Sequence, residues 1–199
     1  MTDLLGAAPI VAAGFAVPQF LPQIRKLLTT RDTAGVSPSW AALTSVNNAA
    51  WLAYFIMSRY WTALIPSTSA TLLAGTLAVM LLRRRPPGAR PTALIGAWAI
   101  TLAAAGAVAG QAGLGALLTA AFLLQVTPSV WTAYRTARPT GISSGTWLLI
   151  LGELTYWMIF GLHAADPRLI TLGASGIIVS TLILARIHRA TRDPLPANG

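Results

Sequence analysis

The stretch QFLPQIRKLLTTRDTAGVS at residues 19–37 is answered by QVTPSVWTAYRTARPTGIS at residues 125–143, 106 positions later. Gln19, Pro22, Thr30, Gly35 and Ser37 meet identical residues in Gln125, Pro128, Thr136, Gly141 and Ser143. The same offset carries Leu43 onto Leu149 and Trp51 onto Trp157. These matches fall on proline, glycine and tryptophan, the residues that constrain backbone and packing most. A fixed period of this kind marks one structural unit used twice.

The unit belongs in a membrane. The chain is 55% hydrophobic and 10% charged, with mean hydropathy +0.64, whereas a soluble domain carries about 25% charged residues. A bilayer-spanning helix needs about 20 apolar residues. Seven runs reach or approach that length, at roughly 5–25, 38–57, 62–82, 92–110, 113–134, 144–163 and 168–187. The first run lacks a basic leader and holds Pro18 and Pro22 near its end, unlike a cleaved signal peptide. There are no cysteines, which excludes disulfides and thiolate metal sites.

The net charge of +9 could suggest a nucleic-acid partner, but the cations are placed by topology. Of the 14 Lys and Arg residues, only Arg59 and Arg168 lie outside the segments that follow runs 1, 3, 5 and 7. Positive charge marks the cytoplasmic side. The expectation is an external N-terminus, a cytoplasmic C-terminus, contact with anionic lipid and no nucleic-acid partner.

Three runs make up each repeat. Two odd-numbered units joined directly would be inverted, yet the loops after runs 1 and 5 are both basic, so both units face the same way. Run 4 supplies the extra crossing. It has no repeat counterpart and is rich in small residues, among them Ala103, Ala104, Ala105, Gly106 and Gly110. The expected fold is an all-α integral membrane protein of seven transmembrane helices in a 3+1+3 plan with parallel repeats. Its parts are a first triple-helix repeat at 5–82, a basic linker and linker helix at 83–112, a second repeat at 113–187 and a cytoplasmic tail at 188–199.

Several residues stand out for function. Pro22 and Pro128 occupy equivalent places in the first run of each repeat, where proline removes a helix hydrogen bond, so they read as paired hinges. Gly35 and Gly141 allow the turns into the next helices, and Ser37 and Ser143 are placed to cap those helices. Asn47-x-x-x-Trp51 and Glu153-x-x-x-Trp157 each put a polar side chain one turn from an indole on the same helix face. Brought together by the repeat axis, they would form a midplane pocket suited to a sugar or another small polar solute. Trp40, Trp61, Trp98 and Trp147 read instead as interfacial or packing residues. Glu153 is the only acidic residue within any run, and an intramembrane carboxyl is a functional-site candidate. With no cation in the middle of a run, burial favours its neutral form. That suits proton coupling, or equally a structural hydrogen bond to Asn47 or a backbone carbonyl. His163 and His188 belong to no ligand constellation, and no cofactor, metal cluster or nucleophile–base set is apparent.

Pro22-Gln23, the Gly35 loop and Asn47-x-x-x-Trp51-x-x-Tyr54 together resemble the PQ-loop superfamily. Within it, the 3+1+3 plan over residues 5–187 is similar to the SWEET sugar transporters and their half-size bacterial relatives, the SemiSWEETs. The resemblance implies sugar transport through a central pocket at the cell membrane. Asn47, Trp51, Glu153 and Trp157 would then contact substrate, together with Ser67 and Gly173 where the sugar carriers place asparagines. It implies hinge prolines at Pro22, Pro38 and Pro128, the fourth position being Ser144. The second Pro-Gln pair is Pro128-Ser129 here. Two other readings are a proton-coupled carrier of an amino acid or cationic metabolite acting through Glu153, as in the lysosomal branch, and a seven-helix receptor without flux. A full 3+1+3 chain can form its pocket alone, with a homo-oligomer also open.

Overall fold

The computed structural model describes residues 8–192, and the expectations for residues 5–7 and 193–199 lie outside it. Every element in the described part is helical. They are α1 (Ala8–Ala16), α2 (Leu21–Thr30), α3 (Pro38–Met57), a 3-10 turn (Trp61–Ala63), α4 (Leu64–Arg84), α5 (Ala89–Arg135), α6 (Ser144–Ala164) and α7 (Pro167–Arg192). Among the described residues, four stretches are long and apolar enough to cross a membrane: Trp61–Arg84, Ala89–Leu118, Ser144–Ala164 and Pro167–Thr191. Large apolar side chains such as Leu72, Ile100, Val108 and Ile178 face outward. In water this would be costly; in a bilayer it is required. The protein is an all-helical membrane protein.

The helices divide the sequence differently from the seven apolar runs. The first run is broken into α1 and α2. Pro18 and Pro22 supply no N–H, so the ladder fails across residues 17–20 and Leu21 N bonds back to Pro18 O at 3.0 Å in a tighter turn. Runs 4 and 5 lie in α5, whose backbone leaves helical geometry at Gly110 (φ 58°, ψ −146°). The chain doubles back there. A Cβ on Gly113 would stand 3.1 Å from the Ala105 carbonyl oxygen, whereas eight residues of straight helix span about 12 Å. Residues 89–109 and 111–135 are thus two arms of a helical hairpin. Helix α7 continues through Arg192, into the segment expected as the cytoplasmic tail.

The expected hinge prolines are corrected in part. Pro22 stands in the first turn of α2 and Pro38 in the first turn of α3, where a missing N–H costs little. Pro128 lies inside α5, and only Gly110 departs from helical angles there. The two repeats therefore do not break their first helix alike. The break belongs to residues 17–20 alone.

Helix α3 packs on α4 and α5, α6 on α7 and α1, α5 on α7, and α1 on α4. At the basic end the two halves are joined by polar bonds. The Gln23 side chain donates through Nε2 to Gly141 O (2.9 Å) and accepts through Oε1 from Ser143 N (2.8 Å). Gln23 N donates to Thr146 Oγ1 at 3.0 Å, and Lys26 Nζ to Ile142 O at 2.8 Å. Asp32 holds Ala34 N through Oδ1 (2.8 Å) and accepts from Thr140 Oγ1 through Oδ2 (2.7 Å). Gly141 N donates to Ala34 O at 2.9 Å. Ser37 and Ser143 cap α3 and α6, accepting from Trp40 N and Thr146 N.

The loops touch so closely that glycine is required on both sides. Gly35 has φ +80°, and a Cβ on Gly141 would stand 2.6 Å from Ala34 N. Gly141→Ala should lower stability by about 1–3 kcal/mol. Gly14→Ala, at a site with no atom within 4 Å, should be neutral or slightly stabilising. Thermal melting of both variants in detergent checks this. Gln23→Ala leaves a buried N–H and carbonyl unpaired and should cost about 1–3 kcal/mol in the same assay.

The Ala34 N–H and then the Thr140 hydroxyl hold the Asp32 carboxyl below the usual carboxylate range. A lowered folded value gives stability that is full above the unfolded value and lost as pH falls through the folded one. The tie should hold at neutral pH and fail in acid. Asp32→Asn should flatten the acid limb of melting temperature against pH.

Candidate functional site

A buried cavity of about 50 Å³ lies between the two halves. The first half contributes Gln19, Trp40, Thr44, Asn48, Trp51, Phe55 and Ser67. The second adds Gln125, Trp147, Glu153, Trp157 and Leu172. Aromatic rings close it at both ends. Toward the basic loops, Trp40 and Trp147 stack with centroids 5.4 Å apart at 25°. At the other end, Phe55 lies against Trp157 at 5.4 Å and 12°, with Trp51 packed 5.4 Å behind it.

Of the expected pocket residues, Trp51, Ser67, Glu153 and Trp157 are brought together here and Asn47 and Gly173 are not. Asn47 is 1% exposed and turned into the protein. It donates from Nδ2 to Ala121 O (2.8 Å) and Gln125 Oε1 (3.1 Å), and accepts from Trp98 Nε1 through Oδ1 (2.9 Å). Its neighbour Asn48 lines the cavity instead. Gly173 presses against α6, where a Cβ would meet Met158 Cβ at 2.4 Å. It is a helix-packing position, and Leu172 faces the cavity.

Glu153 is buried, with Oε1 accepting from Trp157 Nε1 at 3.1 Å and the Gln19 side chain within hydrogen-bonding range. The 106-residue offset places Gln19 on Gln125 and Asn47 on Glu153. Each side of the cavity therefore pairs a glutamine from the first helix of a half with a polar residue from the second.

Sequence reasoning set Trp40 and Trp147 aside as interfacial or packing residues. They are cavity walls. Their offset is 107, one step out of register, so an identity scan at a constant period passes over them. Gln19 and Gln125 carried a signal, as members of the repeated set. A polar cluster at the end opposite the basic loops carried none. Tyr54 Oη donates to Asp166 Oδ2 (3.3 Å) and accepts from Arg168 Nη1 (3.0 Å), while Asp166 Oδ1 caps Arg168 N at 2.9 Å. Tyr60 meets Phe160 edge-on nearby at 6.1 Å.

The cavity is thus a chamber with indole walls, amide and carboxyl groups, and inter-half contacts at either end. No curated protein matches the chain. Residues 5–64 match the family model described as PQ loop repeat. They span the broken first helix, Pro22-Gln23, the Gly35 loop, α3 and the 3-10 turn, and this part of the chain is similar to a PQ-loop repeat.

Proposed function

We propose that this protein is a membrane transporter that carries a small polar solute, a sugar first among the candidates, by alternating access through the chamber between its two repeats. The observation that carries this reading is a central cavity closed at both ends by contacts between the halves. A solute can pass such a chamber only if the two closures part in turn. At about 50 Å³ the chamber is far below the roughly 300 Å³ and upward of a ligand pocket. A monosaccharide enters only when one end has opened.

The 3+1+3 reading has support from the packing. Exchanging α1 and α2 for residues 111–135, α3 for α6, and α4 for α7 turns the observed pairings among the α-helices into one another, while those of the 3-10 turn have no counterpart. Pair α3–α4 becomes α6–α7, α1–α6 becomes α3–α5, and α1–α4 becomes α5–α7. Residues 89–109 are left over as the linker helix. On this reading the basic loops are cytoplasmic and the Tyr54–Asp166–Arg168 cluster is external, in the cell membrane. The gap in the helix ladder at residues 17–20 lets the first repeat bend beside Gln19 and Phe20.

One observation favours a second reading. Glu153 faces the chamber with a tryptophan and a glutamine as its partners. A carboxyl in that place suits a proton site, and with it a proton-coupled carrier of an amino acid or cationic metabolite.

Uptake into proteoliposomes of hexoses, disaccharides, amino acids and cationic metabolites, with and without an inward proton gradient, tests both. Saturable hexose flux indifferent to the gradient is the expected result. Flux of an amino acid or cation that rises with the gradient and loses that rise in Glu153→Gln establishes the second reading. Binding without flux makes the protein a receptor. The helix break also generates an unequal outcome: Pro22→Ala should slow flux about tenfold or more, and Pro128→Ala far less. Equal loss in both would return the hinge to a symmetric pair.

A further inference from the structure

An amide presents a donor or an acceptor to a cavity according to how its other end is held. Gln125 lines the chamber, and its other end is held by Asn47. The orientation of Asn47 is fixed from two sides. The Trp98 indole N–H can only donate, so Oδ1 must face it, and the Ala121 carbonyl can only accept, so Nδ2 must face that. Nδ2 therefore points at Gln125, which must answer with Oε1. Its Nε2 is left for the chamber. At the equivalent place across the chamber stands Glu153, whose carboxyl accepts from Trp157 Nε1, so no amide N–H fixes the sense of Gln19.

We propose that Gln125 is a specificity-determining residue presenting a fixed N–H donor to the solute, and that Asn47, held by Trp98 of the linker helix, is the positioning residue that sets this sense. The solute class follows: a molecule that turns an oxygen acceptor, whether hydroxyl, carbonyl or carboxylate, toward residues 111–135. This rests on the transporter reading for its solute but not for its geometry. It also gives the linker helix a role beyond reversing topology, since Trp98 acts on Gln125 through Asn47 without lining the chamber itself.

The test uses the full chain in lipid nanodiscs with glutamine labelled at side-chain carbon and nitrogen, and no solute. In Asn47→Leu the Gln125 Cδ signal should move upfield as its carbonyl loses a donor, with Nε2 little changed. Trp98→Phe should move Cδ in the same direction by less, and add nothing in the Asn47→Leu background. Movement of Nε2 with Cδ fixed, or a Trp98→Phe effect that persists without Asn47, would overturn the assignment. In proteoliposomes, glucose should be preferred over one of its monodeoxy analogues by about five- to tenfold in KM, the size of one hydrogen bond. Gln125→Leu should erase that preference, and Asn47→Leu should add nothing to it. Preference retained in Gln125→Leu would also overturn the assignment. Spectra as expected with no hexose flux would remove the sugar and leave the donor in place.

Discussion

The carboxamide of Gln23 ties the two halves of this protein together. One side chain gives a hydrogen to the Gly141 carbonyl and takes one from the Ser143 N–H, while its backbone reaches Thr146. In an apolar surrounding each of these groups would be costly to leave unpaired. Satisfying them requires α2 and the start of α6 to meet in one register. That register brings the Gly35 and Gly141 loops into backbone contact and stacks Trp40 on Trp147, which closes the chamber at the basic end. The closing of the chamber at its basic end follows from a bond that does not line it.

The repeat is approximate, and its departures from symmetry fall at the chamber and at the contacts that close it. Gln23 has Ser129 as its counterpart, so the tie runs from the first half to the second without an equal return. Asn47 has Glu153, so one side of the chamber holds its glutamine through an N–H and the other through a carboxyl. The first helix is broken at residues 17–20, and its counterpart runs unbroken through Pro128. With parallel repeats, exact symmetry would give a solute two identical walls. These differences give the chamber distinct walls and place the bend in one half.

Much of this was legible in the residues. Composition, charge placement and the 106-residue period were enough for an all-helical membrane protein with a repeated unit, because hydropathy and topology depend on local sequence. Trp51, Glu153 and Trp157 come together at the chamber because repeat symmetry constrains which faces meet, and Ser67, carried over by resemblance, lines it as well. What failed was orientation within a turn. Asn47 and Asn48 are adjacent, and a spacing argument cannot tell which faces the chamber; the Trp98 indole, far away in sequence, decides it. Gly173 was carried over by resemblance, but a residue without a side chain serves helix contact there. Trp40 with Trp147 and Asp166 with Arg168 were hidden for a related reason: the first pair is one residue out of period, and the second has no counterpart at all.

The central claim is that the closures at the two ends of one chamber open in turn. The absence of cysteine makes the chain suitable for paired spin labels. One pair would sit at the exposed Arg31 and Arg138 on the basic end, leaving the Asp32 tie intact, and another at Tyr60 and Phe160 on the opposite end. Distance distributions from pulsed electron resonance in nanodiscs, with and without a transported solute, would report both. The account predicts that each pair samples a short and a long distance. Conditions that lengthen one, such as acid acting on the Asp32 tie, should shorten the other. Both pairs staying short while flux continues, or both lengthening together, would contradict it.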